Sequence, residues 1–227
     1  MPLFDRFASR VLSALGLDLD LDLDLRGPPF HEVTPRLVLG SRPSPAHVPA
    51  LEELGVTHVV SCLEDPEPVR FLEERFETRF LAVRDAVTED LGAELPGFFD
   101  FVERCGLVGR VLVHCEAGVS RSATLAVAHV MQSRSLRFHE PYLEVRARRP
   151  QVLPNVGFAS QLQRFEHSVF PERHPSSLAR YLHEVCRVPV ELDVMDGVLE
   201  SHDHDALAAI RAIFGDEVPR VVQGVRT

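Results

Sequence analysis

Residues 110–122 combine a cysteine, an arginine and a serine at spacings that suit phosphate chemistry. The apolar, β-branched run 111–113 predicts a buried strand. Gly118 marks a tight loop, and the Ala- and Leu-rich residues 120–131 predict a helix. A loop between a strand and a helix N-terminus presents free backbone N–H groups and the positive end of the helix dipole to one point. The sequence therefore predicts an anion-binding site in this loop.

Cys115 lies at the start of the loop. A thiol that faces a helix N-terminus and a guanidinium ionises readily, and the thiolate is the nucleophile. Arg121 can fold back over the loop, and its planar fork can hold two oxygens of a phosphate. Ser122 can donate a hydrogen bond to the sulfur and help it to leave when a covalent intermediate breaks down. The alternative is a core cysteine beside an incidental arginine, which the joint presence of His114 and Gly118 disfavours.

The order His-Cys-Glu-Ala-Gly-Val-Ser-Arg-Ser at residues 114–122 resembles the His-Cys-x-x-Gly-x-x-Arg-Ser/Thr signature of cysteine-based protein phosphatases. Its Ser-Arg-Ser ending is similar to the dual-specificity branch. Residues 39–60 are similar to the opening of dual-specificity phosphatase domains, and residues 154–162 resemble their closing motif. The resemblance implies hydrolysis of phosphotyrosine and phosphoserine/threonine through a phosphocysteine on Cys115, with phosphorylated proteins as substrates and no cofactor.

The resemblance also implies roles for the residues around the nucleophile. The phosphate would be bound, together with Arg121, by Glu116, Ala117, Gly118, Val119 and Ser120. His114 would hydrogen-bond the backbone near Cys115 and tune the thiolate, with core packing as the alternative. Asn155 would tie its own loop to the phosphate-binding loop. Arg149 resembles a position that contacts a second phosphate or acidic group, and a solvated surface arginine is the alternative.

Phosphoryl transfer to Cys115 also requires a proton for the leaving oxygen. Asp85 is the candidate acid because it ends a predicted strand and begins a polar loop. Its surroundings also resemble the general-acid loop of the family. Glu89 and Asp90 are the alternatives. The same carboxylate would then activate water against the phosphocysteine, and the loop N–H groups with Arg121 would stabilise charge, so no metal is expected.

The cysteines predict a reducing environment. Cys62, Cys105, Cys115 and Cys186 have no paired spacing, so no disulfide framework is expected. Some relatives carry a cysteine at the position of Cys62 that can form a disulfide with the nucleophile, which makes Cys62 a candidate redox partner. A buried, inert thiol is the alternative. A reactive thiol stays reduced in the cytoplasm, the expected location, or in the nucleus.

The 227 residues, 45% of them hydrophobic, can bury one sizeable core. The predicted fold class is α/β, with a central mixed, mostly parallel sheet of about five strands flanked by helices. Residues 1–29 predict an amphipathic helix and a Leu-Asp low-complexity linker. Residues 30–170 predict the catalytic domain, and residues 171–227 a small α+β C-terminal extension of unknown role, with strands at 188–194 and 218–225.

The formal net charge of −10, with arginine as the only strongly basic residue type, argues against nucleic acid and anionic membranes as partners. Neither a signal peptide nor a membrane span is predicted. The sequence leaves the oligomeric state open. At residues 201–205, helix capping by Ser201 or Asp205 is favoured over metal binding.

Two other functions stay open. Phosphoinositide and RNA 5′-phosphatases of this superfamily tend to carry extra basic residues in the loop, whereas this loop has Glu116 and Val119. A phosphoprotein-binding pseudophosphatase or scaffold would be expected to lack the nucleophile, the arginine or the acid, and this chain has all three.

Overall fold

A computed structural model describes residues 29–106, 108–171, 176–186, 188 and 190–215. Its centre is a five-stranded sheet in the order β1-β2-β5-β3-β4. The strands are β1 (Phe30–Thr34), β2 (Leu37–Gly40), β3 (Val56–Leu63), β4 (Glu77–Ala82) and β5 (Arg110–His114). Only the β1–β2 pair is antiparallel within this sheet, and the other neighbours are parallel. The predicted mixed, mostly parallel sheet is confirmed.

Helices cover both faces of the sheet. They are α1 (Val48–Glu53), α2 (Leu95–Arg104), α3 (Arg121–Arg134), α4 (His139–Arg148), α5 (Val156–Val169), α6 (Ser177–Arg180), α7 (Leu192–Ser201) and α8 (Ala206–Phe214). Short 3₁₀ segments form at Pro45–His47, Glu67–Glu74 and Gly92–Glu94, and a π-helical turn, Tyr181–Val185, continues α6. None of the helices in these described ranges has the length and apolar composition needed to cross a membrane.

Strand β5 lies in the middle of the sheet and is buried on both faces. Successive side chains of a strand point to opposite faces, so Val111 and Val113 enter the larger core with the helices that follow α1. Leu112 enters the smaller core with Leu51 of α1 and Leu72 of the 3₁₀ segment Glu67–Glu74. This double burial explains the continuous apolar run of the sequence. Because β5 is parallel to both of its neighbours, Cys115, which follows β5, lies at the carboxyl edge of the parallel strands.

The described part of the C-terminal extension is helical and belongs to the main core. Leu178 and Leu182 are fully buried there together with Met195 and Leu199 of α7. The predicted strand at 188–194 is wrong, because Leu192 begins α7 and the apolar residues recur at helical spacing. The predicted N-terminal helix and Leu-Asp linker, and the predicted strand at 218–225, lie outside the described residues.

The burial of the extension predicts that it unfolds together with residues 30–170. Leu182→Ala removes a side chain that is 0% exposed and should lower the free energy of unfolding by about 2–5 kcal/mol in one cooperative transition, measured by urea denaturation. The matched control is Leu143→Ala, which truncates a leucine that is 47% exposed and should change stability by about 0.5 kcal/mol or less. A separate, earlier transition in Leu182→Ala would contradict a shared core.

Candidate active site

The loop between β5 and α3, residues 115–120, is the centre of the site. Together with Arg121, the first residue of α3, it is called the cysteine loop below. Its chain reverses at Gly118, which has φ +69°, a conformation that strongly favours glycine. A Cβ atom there would also lie 2.5 Å from the carbonyl oxygen of Gly40. The loop therefore packs closely against the end of β2. Cys115, at its start, is 1% exposed.

Two donors converge on the sulfur of Cys115. The backbone N–H of Gly118 lies 3.3 Å from Sγ, and the hydroxyl of Ser122 donates to it at 3.1 Å. Both hydrogen bonds stabilise a thiolate more than a thiol. The contact expected of Ser122 is therefore present.

Arg149 contacts the cysteine loop from the opposite side. Its Nε donates to the carbonyl oxygen of Gly118 and its NH2 to that of Ala117, both at 2.9 Å. Its NH1 contacts the carbonyl oxygen of Pro29 and the ring of His31. With a side chain that is 2% exposed, Arg149 is not a solvated surface residue, and all three guanidinium nitrogens are engaged within the protein. The structure thus places it as a support of the loop. Its contact with a second phosphate or acidic group stays a prediction.

Asp85 lies in the loop after β4 and reaches the cysteine loop with its carboxylate. Its Oδ1 accepts hydrogen bonds from the hydroxyl of Ser120 at 2.7 Å and from the amide Nδ2 of Asn155 at 2.9 Å. Its Oδ2 lies 3.6 Å from Nε of Arg121. The guanidinium of Arg121 also donates to the carbonyl oxygen of Val83 at 3.2 Å. The predicted acid and the predicted phosphate ligand therefore meet at the mouth of the loop.

The two alternative acids face elsewhere. Glu89 forms an ion pair with Arg84, and hydrogen bonds from Arg84 lower the pKa of the Glu89 carboxyl. The carboxylate of Asp90 accepts from the backbone N–H of Ala93 at 3.1 Å. Of the three carboxylates proposed from the sequence, Asp85 is the one whose hydrogen bonds reach the cysteine loop.

Asn155 links three parts of the site. As the N-cap of α5, its Oδ1 accepts from the backbone N–H of Phe158 at 3.0 Å. Its own backbone N–H donates to Ser120 Oγ at 3.1 Å, and its Nδ2 holds Asp85. The tie expected between this residue and the cysteine loop is present, and it extends to the carboxylate.

His114 is fully buried at the end of β5. Its Nε2 lies 2.7 Å from the hydroxyl of Ser61 on β3, and its Nδ1 lies 3.3 Å from the carbonyl oxygen of Cys115. Burial lowers its pKa to about 4, so the ring is neutral near pH 7. A neutral ring fixed at both nitrogens orients the backbone at Cys115, in agreement with the expected contact.

Cys62 lies on β3, beside β5, where Ser61 pairs with His114. Its side chain is 0% exposed and shares the main core with Cys115. Burial, followed by the nearby Cys115, raises the pKa of the Cys62 thiol. Its role as a redox partner stays a prediction.

The described residues contain no group of three or more His, Cys, Asp or Glu side chains arranged to hold a metal. At residues 201–205, the Oδ1 of Asp205 caps α8 by accepting from Ala208 N at 2.9 Å. The predicted capping by Asp205 is confirmed.

Sequence reasoning missed Gln161 as a functional residue. Its side-chain amide donates to the carbonyl oxygen of Glu89 and accepts from the N–H of Gly92, both at 2.7 Å. It thereby attaches the loop that follows Asp85 to α5. Its place in the motif at residues 154–162 was the available signal, but nothing in the local pattern indicates a partner 69–72 residues away.

Comparisons with known proteins agree with this geometry. A family model described as dual specificity phosphatase, catalytic domain, matches residues 37–168. Human dual specificity protein phosphatase 2 is 39% identical over 141 residues, which cover 61% of this chain and 44% of that protein. The Drosophila melanogaster dual specificity protein phosphatase MPK-4 is 37% identical over 136 residues, 59% of this chain and 35% of its own length. The chain thus spans less than half the length of these curated relatives.

Solved structures show the same fold. The crystal structure of human DUSP28 has a TM-score of 0.55 and 33% identity, and the match covers 63% of this chain and 96% of that one. The crystal structure of DUSP15 has a TM-score of 0.58 and 29% identity, and the match covers 70% and 97% of the two chains.

The buried His114 predicts a loss of stability in mild acid. Its pKa is about 4 in the folded protein, below the ordinary value of 6.5 for a histidine, so the unfolded chain takes up the proton first. The contribution of this residue is fully present above pH 6.5 and is lost as the pH falls toward 4, by about 3 kcal/mol. Between pH 6.5 and 4, the free energy of unfolding, measured by urea denaturation, should fall by about 3 kcal/mol less in His114→Asn than in the wild type. The two profiles should run parallel between pH 7 and 8, and equal slopes in acid would contradict the assignment.

Proposed function

This chain belongs to the dual-specificity phosphatase family, and we propose that it hydrolyses phosphotyrosine and phosphoserine/threonine in proteins through a phosphocysteine intermediate. The observation that carries the proposal is the meeting of three groups at one loop. The Cys115 sulfur accepts hydrogen bonds from the loop, Asp85 is fastened to the same loop, and Arg121 lies beside Asp85.

In the first step, the Cys115 thiolate attacks phosphorus, the S–P bond forms and the P–O bond to the substrate breaks. Loop N–H groups and the guanidinium of Arg121 would hold the non-bridging oxygens, the guanidinium in a bidentate grip. Protonated Asp85 would give its proton to the departing oxygen, so that the product leaves as an alcohol or phenol and not as its anion.

In the second step, the Asp85 carboxylate would take a proton from water as the water oxygen attacks phosphorus. The S–P bond then breaks, inorganic phosphate is released, and the thiolate is regenerated. The hydrogen bond from the Ser122 hydroxyl to the sulfur, 3.1 Å long, stabilises the negative charge that returns to it. The charge stabilisation comes from protein groups in both steps, so we expect activity without added metal.

The charge at the rim of the loop supports protein substrates over phosphoinositides. Glu116 is half exposed, and its carboxylate pairs with Arg42 at 3.2 Å, which offsets the positive charge of that arginine. A head group with several phosphates gains from unpaired cations, and this rim holds a neutralised pair. The thiol chemistry also supports a location in a reducing compartment, the cytoplasm or the nucleus.

The nucleophile predicts the first test. Cys115→Ser should reduce hydrolysis of 4-nitrophenyl phosphate in EDTA to background, because an alcohol is not ionised near neutral pH. Orthovanadate should inhibit the wild type. The matched control is Cys105→Ser, which changes a buried cysteine whose sulfur lies 3.4 Å from the Thr57 hydroxyl and should retain activity. Persistent activity in Cys115→Ser would overturn the mechanism.

The acid predicts a second test. Asp85→Asn should lower kcat about 10²–10³-fold on phenyl phosphate, since general acid catalysis typically contributes that much. The reduction should be smaller on 4-nitrophenyl phosphate, whose leaving group needs a proton less. Asp90→Asn, a neighbouring aspartate that contacts Ala93, is the control and should keep kcat. A wild-type rate in Asp85→Asn would exclude Asp85 as the acid.

A further inference from the structure

Residues 152–155, called the bridging segment below, connect the cysteine loop to buried tyrosines. On one side, the backbone N–H of Leu153 donates to the carbonyl oxygen of Val119 at 2.9 Å. The next N–H on that side, from Asn155, donates to Ser120 Oγ at 3.1 Å. Two backbone groups of the segment are thus committed to the cysteine loop.

The carbonyl groups of the bridging segment are bound by two tyrosines. The hydroxyl of Tyr142, on α4, donates to the carbonyl oxygen of Val152 at 3.3 Å. The hydroxyl of Tyr181, on the turn after α6, donates to the carbonyl oxygen of Pro154 at 2.6 Å. The two rings touch edge to face, with centroids 5.0 Å apart. The segment therefore lies between the cysteine loop and this tyrosine pair, with hydrogen bonds to both.

Tyr181 comes from outside the part of the chain that matches the family model, which ends at residue 168. Its side chain is 0% exposed and packs against Phe138 as well as Tyr142. Burial raises its pKa far above the ordinary value, so the hydroxyl keeps its proton and remains a donor. The extension that carries it is attached to α5 by further bonds, in which Gln163 Oε1 accepts from Leu178 N at 2.8 Å and from the Ser176 hydroxyl at 3.1 Å.

We propose that Tyr181 is a positioning residue for the general acid, through which the C-terminal extension sets the rate of the protonation step. This inference rests on the proposed phosphatase activity. The route consists of two hydrogen bonds joined by a peptide bond: Tyr181 fixes the Pro154 carbonyl, the next residue is Asn155, and the Asn155 side chain holds Asp85.

The chemical consequence is specific to proton transfer. Without the Tyr181 hydroxyl, the Pro154 carbonyl loses that donor, and the peptide that leads into Asn155 keeps the bond from its N–H to Ser120 but is no longer fixed by Tyr181 on its carbonyl side. Asp85 then keeps the hydrogen bond from Ser120, while the Asn155 side chain that also holds it is positioned less firmly, by Phe158 and Ser120 alone of its three supports. The carboxyl would be misplaced relative to the leaving oxygen, while Cys115 keeps both donors to its sulfur. Proton donation should therefore suffer more than attack by the thiolate.

Tyr181→Phe in the full-length chain tests this route, because it removes the hydroxyl and retains the buried ring. We expect kcat on phenyl phosphate to fall about tenfold, a part of the full contribution of a general acid. On 4-nitrophenyl phosphate, which needs less proton donation, the fall should be smaller, and KM should change little. In an Asp85→Asn background, Tyr181→Phe should leave the ratio of the two rates unchanged.

Ser176→Ala is the matched control. It also removes one buried hydroxyl that joins the extension to the domain, but this hydroxyl donates to Gln163 and accepts from the backbone N–H of Ala179, and it does not contact the bridging segment. We expect a similar small loss in melting temperature and wild-type rates on both substrates. The positioning role is overturned if the wild type is active and Tyr181→Phe has the wild-type ratio of the rates on phenyl phosphate and 4-nitrophenyl phosphate. This holds whether the two rates are unchanged or fall equally. An inactive wild type would instead overturn the proposed function, and this inference with it.

Discussion

The arrangement of the site depends on how the carbonyl groups of the cysteine loop are bound. A loop can direct several N–H groups toward one anion only if its carbonyl oxygens have partners on the other side. Arg149 supplies those partners for Ala117 and Gly118. Burial lowers the pKa of this arginine, and the nearby Cys115 raises it. The buried guanidinium therefore holds the two loop carbonyls in place from inside the protein, on the side away from the anion-binding N–H groups.

The same loop also fixes the acid, although Asp85 comes from a different strand. Ser120 donates to Asp85 and accepts from the backbone of Asn155, so one hydroxyl serves two elements at once. Gln161 fastens the far end of the loop that follows Asp85 to α5. Gly157 lets this loop pack closely on α5, because a Cβ atom at that position would overlap the Val87 carbonyl. Nucleophile and acid are thus held by one connected set of hydrogen bonds. In the proposed mechanism, such preorganisation would let a proton move to the leaving oxygen without prior rearrangement of the protein.

Features formed by neighbouring residues could be predicted from the sequence, whereas contacts between residues far apart in the chain could not. The strand, loop and helix around Cys115 are local, so residue types and spacing were sufficient to predict them. Asp85 was predicted from its place at a strand end, but its preference over Glu89 and Asp90 required the contacts of each carboxylate. The burial of Arg149 depends on partners 31 and 32 residues away, and no local pattern reports that. The strand at 188–194 failed because a short apolar run satisfies either period, and the helical contacts of α7 decided between them.

The unit that folds extends beyond the unit that sequence similarity detects. The family match ends at residue 168, yet Phe138 and Tyr142 of the matched region pack directly on Tyr181. Without residues 176–214, these rings and the outer side of α5 would face water, and burial of apolar surface is the main force that keeps a core closed. The Ser160 hydroxyl and Gln163 on α5 would also lose partners, because they bond backbone N–H groups of α8 and α6. The extension therefore belongs to the core that supports the bridging segment, and a change in how it packs would reach Asn155 before it reached the nucleophile.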